Sequence, residues 1–341
     1  MKKIFNILLT FIFITTLLFT GCGKSDNNKD ALSVYCPDGA PALSVAKILD
    51  DKNSNFDVNV VVASTINAYV TGESPTADIC IMPVNAAVKL LGNGQTYKML
   101  GTITHGNLFL LKKGDAPDVT NDNIADVLIG KKVGVINLAN VPGLTFKAIL
   151  SDKNIPFSTV NEENGEVYSD KVNLVGLADG TQVIPNSQCD YFVVPEPALS
   201  TKIKATANHP TSPLKLAGSL QALYGNENGY PQAVVVAKTS VIENKIDKVN
   251  AFIKELNDNS VWVKTASAET IVNAVISGFL KDGTAPTFTA NNLNSTVIEN
   301  CAIYFTPSSQ CKTEVLDYMQ KINGISNNAF GMPSDNFFYL G

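Results

Sequence analysis

The run KVGVINLANVPGLTFKAIL (Lys132–Leu150) contains the pattern that decides the fold. Its first part, Lys132–Ile136, is short, apolar and valine-rich, as expected for a buried β-strand. The stretch Asn137–Pro142 then has the composition of a turn, and Gly143–Leu150 that of a helix. A strand followed by a turn and a helix is the repeating unit of parallel α/β sheets.

Similar units recur on both sides of this run. The segment Ala42–Asp51 has apolar residues at positions i, i+3, i+4 and i+7, the period of an amphipathic helix, and beyond Lys238 the chain is predicted to be mainly helical. Further strands are predicted at Ala31–Cys36, Phe56–Val62, Asp78–Met82, Tyr97–Thr104, Gly106–Lys113, Val172–Leu177, Cys189–Val194 and Gln232–Lys238. The alternation indicates an α/β fold with largely parallel sheets.

Composition limits the function classes. The chain has 341 residues, which suggests about two globular units. Its formal net charge is −5 and no lysine-rich patch stands out, which argues against a nucleic-acid partner. The sequence contains no arginine, so no planar guanidinium is available to clamp a carboxylate or phosphate group.

The start of the sequence predicts an export signal. Lys2 and Lys3 precede the apolar run Ile4–Phe19, and Thr20-Gly21-Cys22 follows it before a polar stretch. A Cys after small residues resembles the lipobox of bacterial lipoproteins, although Phe19 stands where Leu is usual. The prediction is a signal peptide over 1–21, with a diacylglyceryl thioether (palmitate among its fatty acids) on Cys22 and a polar tether over 22–30. An ordinary signal peptide with an incidental Cys, or an uncleaved anchor helix, is the alternative.

The remaining cysteines and the two histidines do not form a metal-binding motif. Cys36, Cys80 and Cys189 lie in or beside apolar strands and are predicted to be buried. Cys301 and Cys311 are close in sequence, and a disulfide between them is left open. The spacing predicts neither a metal ion nor a cofactor.

The turns after the predicted strands are where a ligand is expected, because open α/β sheets bind ligands beyond the carboxyl ends of their strands. These turns also contain Pro37, Ser64, Pro83, Thr104, Gly106, Asn137 and Gln232. The predicted ligand-binding residues are Asp38, Gly39, Ala40, Pro41, Thr65, Asn67, Asn85, His105, Asn107, Asn140, Pro142, Gly143, Thr145, Glu196 and Tyr230.

Several of these residues have a local explanation as well. Asp38, Thr65 and Asn85 are suited to capping a helix. His105 fits a satisfied histidine between strands, and Glu196 at a helix start would serve the helix dipole. For each of them the sequence leaves both readings open.

The order of these segments resembles a known family. YCPDGAPALSVAKIL, ADICIMPVNAAVKLL, TITHGNLFLL, GKKVGVINLANVPGLTFKAIL, YFVVPEPALSTKI and YPQAVVVAKTSVI together resemble bacterial ABC-transporter substrate-binding lipoproteins of the nitrate/sulfonate/taurine and thiamine-pyrimidine binding group. The resemblance covers nearly all of the chain after the signal.

The resemblance implies a periplasmic-binding-protein type II fold, in which two α/β lobes enclose a ligand cleft. Lobe 1 would comprise 31–112 and 232–341, and lobe 2 would comprise 113–231. The strands Gly106–Lys113 and Gln232–Lys238 would form the hinge, and hinge closure over a ligand is a common switching motion. The implied partners are a small molecule, an ABC permease with its ATPase, and the membrane through lipid on Cys22, with the protein itself a monomer outside the cell membrane.

The ligand class is argued from charge. Asp38 and Glu196 lie in the candidate turns, which contain no lysine, so a neutral or cationic amino-bearing heterocycle such as a pyrimidine-type vitamin precursor is favoured. A sulfonate or nitrate, held by helix N-termini, is the alternative. An enzyme of the same fold acting on a pyrimidine precursor and a surface lipoprotein with no transport role are the alternatives from other classes.

The lipidation prediction is testable with Cys22→Ser, which removes the only thiol at the cleavage site. The variant precursor is expected to remain uncut and to take up no labelled fatty acid, whereas the wild-type protein takes it up. Label in the variant, or none in the wild type, would contradict the prediction.

Overall fold

The computed structural model describes residues 30–160, 165–226, 228–279 and 285–341. The predicted signal peptide, Cys22 and nearly all of the tether lie outside this part of the chain. Asp30, the first described residue, forms ion pairs with Lys245 and Lys248, which hold the start of the fold against the helical region after Lys238.

The strands follow the predicted positions closely, with three additions. They are β1 (Leu32–Pro37), β2 (Phe56–Val61), β3 (Ile79–Pro83), β4 (Tyr97–Thr104), β5 (Leu108–Lys113), β6 (Lys132–Ile136), β7 (Phe157–Val160), β8 (Val172–Leu177), β9 (Tyr191–Pro195), β10 (Leu214–Ser219), β11 (Ala233–Lys238) and β12 (Ile303–Pro307). Sequence reading missed β7, β10 and β12. All three are edge strands, so each is paired on only one side and carries a weaker apolar pattern than the strands between neighbours.

The helices cover the faces of the sheets. They are α1 (Ala40–Leu43), α2 (Ala46–Asp50), α3 (Val84–Leu91), α4 (Ile124–Leu128), α5 (Val141–Asp152), α6 (Ala198–Thr206), α7 (Leu220–Tyr224), α8 (Thr239–Asn244), α9 (Ile246–Trp262), α10 (Ala268–Ser277), α11 (Ser295–Asn300) and α12 (Ser308–Ile325). Short 3₁₀ helices occupy Ala63–Tyr69, Gly180–Gln182 and Asp335–Phe337.

Two six-stranded sheets form the framework. The first has the order β12-β4-β11-β3-β1-β2, and the second has the order β10-β5-β9-β6-β8-β7. The sheets are mixed rather than parallel throughout: β11 runs antiparallel to β3 and β4, and β5 runs antiparallel to β9. Both β5 and β11 enter their sheet directly from the other lobe, and the edge strand β12 also runs antiparallel to its neighbour β4.

The strand pairing corrects the predicted boundary between lobes. The strand β5 was assigned to lobe 1 up to residue 112, but it pairs with β9 and β10 of the second sheet. The chain therefore passes between the sheets at about residues 105–107, before β5 begins, and returns just before β11. The lobe boundary therefore lies one strand earlier than predicted. The sequence of an apolar strand does not indicate which sheet the strand joins.

One apolar core continues from one lobe into the other. It contains Met82 and Val84 of the first lobe together with Leu110 and Val133 of the second, and Tyr318 of α12 lies fully buried within it. A separate cluster fills the outer face of the first sheet beneath α9 and α10, and a smaller one lies under α6 on the second sheet. The lobes are thus joined by packing as well as by the chain.

The helix α12 makes the main contact between the lobes. It packs on α5, where the Tyr318 hydroxyl and the Thr145 hydroxyl are 2.7 Å apart and both side chains are fully buried. At the end of α5, Asp152 forms an ion pair with Lys321, whose ammonium group also lies 4.8 Å from the centre of the Tyr224 ring. Thr145 was predicted to bind ligand, but its hydroxyl is used in this contact instead.

A double-mutant cycle tests the buried hydroxyl pair. Tyr318→Phe and Thr145→Val are each expected to lower the free energy of unfolding by about 1–3 kcal/mol, because each leaves a buried hydroxyl without its partner. The double variant should lose less than the sum of the two, since neither hydroxyl then remains unpaired. The measurement is urea unfolding, with exposed Thr201→Val as the control; additive losses would contradict a direct interaction.

Candidate functional site

A cavity of about 640 Å³ lies between the lobes, at the carboxyl ends of β1, β3, β4 and β6. This is the position expected for ligands of open α/β sheets. Its walls consist of Pro37, Pro41, Ala63, Ser64, Ile66, Asn67, Pro83, Asn85, Ala86, Thr104, Asn137, Asn140, Val141, Pro142, Gln232 and Ala233. A volume of this size is typical of sites for small molecules.

Most of the wall belongs to the first lobe. Among the described residues of the second lobe, those that line the cavity are in the turn after β6 and the first turn of α5, between Asn137 and Pro142. None of the described residues that line the cavity carries a charged or aromatic side chain. The polar groups it offers are amides, hydroxyls and backbone.

The structure brings five of the predicted ligand-binding residues together at this cavity. They are Pro41, Asn67, Asn85, Asn140 and Pro142. Thr65 lies beside the wall residue Ser64, but its hydroxyl is exposed and donates to the Val62 carbonyl oxygen. Gly39 and Ala40 precede Pro41 at the start of α1, where Gly39 adopts φ +97°, a conformation that favours glycine.

The carboxylate of Asp38 is used within lobe 1. One of its oxygens accepts hydrogen bonds from the Thr287 backbone N–H (2.8 Å) and hydroxyl (2.7 Å), and the other accepts from the Gly39 N–H (2.7 Å). Asp38 therefore ties the first turn to the segment around residue 287. It is not among the residues that line the cavity.

Glu196 is likewise committed to the protein. Its side chain is 3% exposed, and its carboxylate accepts hydrogen bonds from the Ser200 hydroxyl (2.8 Å), the Ser200 N–H (3.2 Å) and the Asn300 side-chain amide (2.7 Å). Because Asn300 belongs to the first lobe, this carboxylate joins α6 to the end of α11. The local explanation of Glu196, a carboxylate that stabilises the start of its own helix, accounts for the bonds from Ser200 but not for the bond from Asn300.

His105 is a buried histidine at the crossing between the lobes. Its ring stacks on Tyr304, with centroids 3.8 Å apart and planes 3° from parallel, and Nε2 lies 2.9 Å from the Thr102 hydroxyl. Burial lowers the pKa of His105 to about 4. The ring is not among the residues that line the cavity, although its neighbour Thr104 is.

Asn107, Gly143 and Tyr230 lie behind the cavity wall. The Asn107 side chain accepts a hydrogen bond from the wall residue Gln232. Gly143 allows close backbone approach, since a Cβ atom there would lie 1.9 Å from the Leu138 carbonyl oxygen. Tyr230 is buried beside Tyr318 between the lobes, and burial raises the pKa of its hydroxyl.

Three buried polar atoms of residues that line the cavity have no hydrogen-bond partner among the described residues. They are Asn85 Oδ1, Thr104 Oγ1 and Gln232 Oε1. An unpartnered buried polar atom costs about 1–3 kcal/mol, so such atoms are usually paired by another molecule. Their grouping in one cavity indicates that it is built to hold a polar ligand.

Strand neighbours place these atoms in a row. Ala233, which follows Gln232, is opposite Pro83 on one side and Thr104 on the other. Adjacent strands are about 4.8 Å apart, so the ends of β3, β11 and β4 present Asn85, Gln232 and Thr104 as successive positions. We call these three residues the polar row.

Two helices of eight or more residues begin at the cavity. Asn85 and Ala86 are in the first turn of α3, and Val141 and Pro142 are in the first turn of α5. No side chain caps either start. First-turn N–H groups have no partner within their own helix. Here the Val84 N–H donates to the Gln232 carbonyl oxygen and Pro142 has no N–H, so only the other first-turn groups could donate to an oxygen atom of a ligand.

The wall residues that sequence reading missed are the apolar ones. Ala63, Ile66, Ala86 and Ala233 line the cavity but carry no polar signal. The wall residues that lie in the predicted turns, but are not among the predicted ligand-binding residues, are Pro37, Ser64, Pro83, Thr104, Asn137 and Gln232. Their position next to a predicted strand end could have identified them as ligand-binding residues.

No metal centre forms within the described ranges: they bring together no group of three or more His, Cys, Asp or Glu residues suited to a metal ion. The cysteines Cys36, Cys80, Cys189, Cys301 and Cys311 are free and buried, so Cys301 and Cys311 form no disulfide here. No helix in the described part of the chain is both long and apolar enough to cross a bilayer.

Solved structures share this architecture. An ABC transporter structure from Parabacteroides distasonis matches with a TM-score of 0.67 and 19% identity, over 91% of this chain and 99% of that chain. The periplasmic aliphatic sulphonate binding protein from Escherichia coli matches with a TM-score of 0.62 and 13% identity, over 91% and 92%. The ligand-binding component of an ABC-type import system from Staphylococcus aureus, solved with zinc bound, matches with a TM-score of 0.57 and 10% identity, over 91% and 97%.

These likenesses establish the fold. No protein-family model matches the chain, and no curated protein matches it in sequence. With two α/β sheets and a cleft between their carboxyl ends, the protein has the two-lobe periplasmic-binding-protein type II fold.

The buried state of His105 predicts a pH dependence of stability. The unfolded chain binds a proton near pH 6.5, whereas the folded protein resists it until about pH 4. The contribution of neutral His105 to the free energy of unfolding is therefore fully present above pH 6.5. It is lost as the pH falls to about 4, and the total loss is about 3 kcal/mol. Urea unfolding at pH 7 and pH 4.5 should show a smaller loss for His105→Gln than for the wild type; equal losses would contradict the assignment.

Proposed function

We propose that the chain is the extracytoplasmic, lipid-anchored solute-binding component of an ABC importer, with a small polar organic nutrient as ligand. The observation that carries the proposal is the uncharged cavity between the lobes with its row of unpartnered polar atoms. The solved structures with this fold include proteins named as transport components, and the predicted export signal agrees with that setting. A permease and its ATPase are the proposed protein partners.

A binding role is proposed rather than an enzymatic one. General acid–base catalysis needs a titratable group at the reacting atoms. The side chains along the described cavity wall are amides, hydroxyls and apolar groups. They are suited to recognising a molecule and releasing it unchanged.

The favoured ligand is a neutral, amino-bearing heterocycle, but the reason differs from the one taken from the sequence. Asp38 and Glu196 are bonded within the protein, so they do not select for a positive charge. Instead, Asn85 Oδ1 and Gln232 Oε1 are acceptors that need N–H or O–H donors. Aromatic stacking plays no part in this argument, since the described wall contains no aromatic ring.

A sulfonate is the second candidate, favoured by a different observation. The first turns of α3 and α5 meet at the cavity, and helix N-termini bind anions. Against it, an anion would have no lysine at the described wall to pair with and would face two carbonyl oxygens. Those oxygens would stay unpaired beside a ligand that only accepts hydrogen bonds.

Closure of the lobes over the ligand remains part of the proposal. The wall contributed by Asn137–Pro142 lies across the cavity from the polar row, so a ligand between them would join the two lobes. A ligand that binds only the folded protein at about a hundredfold above Kd adds about 2.7 kcal/mol to the free energy of unfolding. Solution scattering of the complex should then show a more compact particle.

Calorimetric titration of the mature protein separates the candidates. We expect binding of 4-aminopyrimidine and none of nitrate or ethanesulfonate. Asn85→Ala is expected to weaken the binding about tenfold, because a buried hydrogen bond to the ligand is lost, whereas exposed Asn208→Ala should bind as the wild type does. Tight binding of ethanesulfonate with no response to the heterocycle would reverse the order of the two candidates.

A further inference from the structure

The side-chain amide of Gln232 joins the cavity to a residue behind it. Its Nε2 donates a hydrogen bond to Asn107 Oδ1 at 2.8 Å, and its Oε1 is buried at the cavity without a partner. One end of this amide is thus bonded to the protein, and the other has no hydrogen-bond partner among the described residues.

The backbone of Gln232 is fixed on both sides. Its N–H donates to the Thr104 carbonyl oxygen (3.0 Å), and its carbonyl oxygen accepts from the Val84 N–H (3.1 Å). The side chain therefore begins from a set position in the middle of the polar row. The backbone does not determine which end of the side-chain amide points into the cavity.

Asn107 is held independently of the cavity. It is 5% exposed, and its backbone carbonyl oxygen accepts a hydrogen bond from the Glu196 N–H (3.2 Å), just beyond the carboxyl end of β9. It does not line the cavity. Its side-chain oxygen accepts the hydrogen bond from Gln232 Nε2.

We propose that Asn107 is a positioning residue that sets the polarity of the polar row. By accepting from Gln232 Nε2 it keeps Gln232 Oε1 turned toward the ligand, so the centre of the row accepts hydrogen bonds and does not donate them. This inference rests on the proposed function, since it specifies what the solute must present at that site.

The consequence is a stated ligand chemistry. With Asn85 Oδ1 on one side and Gln232 Oε1 beside it, the row matches a molecule with N–H or O–H donors along one edge, such as an amino-azine, a urea or an amide. The Thr104 hydroxyl can donate or accept, so it adapts to the third position. A ligand edge made only of oxygens would leave the two amide oxygens unpaired.

Three variants isolate the effect. Asn107→Asp, assayed at a pH where its carboxyl is ionised, keeps an acceptor and has no donor, so it preserves the direction of the Gln232 amide. Asn107→Leu and the smaller Asn107→Ala remove the acceptor and free the amide to turn. Urea unfolding identifies which of the latter two folds like the wild type.

A ligand-free measurement decides the orientation. In ¹⁵N side-chain spectra we expect a Gln232 Nε2 hydrogen to exchange slowly with solvent in the wild type and in Asn107→Asp, and quickly in the folded Leu or Ala variant. Slow exchange that persists in the Leu or Ala variant, or a wild-type contact in which Asn107 Nδ2 donates to Gln232, would overturn the inference while leaving the proposed transport role intact.

Titration with two probes then measures specificity. For 4-aminopyrimidine against 4-methoxypyrimidine, which lacks N–H groups, wild type and Asn107→Asp should show the same preference for the amine. In the Leu or Ala variant the ratio of the two dissociation constants should fall about tenfold, which corresponds to the loss of one hydrogen bond to the amine. An unchanged preference in that variant would overturn the inference, and failure of both probes to bind the wild type would instead count against the proposed ligand class.

Discussion

The pairing of the two chain crossings is the constraint on which the rest of the structure depends. The segment Thr104–Asn107 leaves the first sheet, and Tyr230–Gln232 returns to it. Gln232 N–H bonds to the Thr104 carbonyl oxygen and Tyr230 N–H bonds to the His105 carbonyl oxygen. These bonds hold the sheets with their carboxyl ends toward each other, which creates the cavity between them.

The polar side chains of the cavity wall differ from most of those around it in their hydrogen bonding. Around it, polar groups are paired: Asp38 with Thr287, Glu196 with Asn300, and Thr145 with Tyr318. Within it, the polar row leaves atoms unpaired at a cost in stability. His105 Nδ1 and the Tyr230 hydroxyl, which lie off the wall, are also unpartnered among the described residues, so it is the grouping of three such atoms in one wall that favours binding there.

The titratable groups near the cavity hold the surrounding segments in position and place no charge on the cavity wall. Asp38 fixes the turn that leads to Pro41, and Glu196 joins the lobes at Asn300. His105 stacks on Tyr304 at the crossing and stays neutral because burial lowers its pKa. Removing any of them is therefore expected to disturb the geometry of the cleft, even though none lines the cavity.

The sequence by itself determined the strand–turn–helix order, the α/β class and the turns at which the cavity forms, because these depend on local periodicity and on proline and glycine. It placed Asn85, Asn140 and Pro142 correctly at strand ends, where the rule for open sheets applies. It did not decide that β5 joins the second sheet, since strand pairing is a long-range choice. Only the tertiary structure showed that Asp38 and Glu196 are bonded within the protein, because the partner of a carboxylate 104 or 249 residues away is set by packing and not by sequence neighbours.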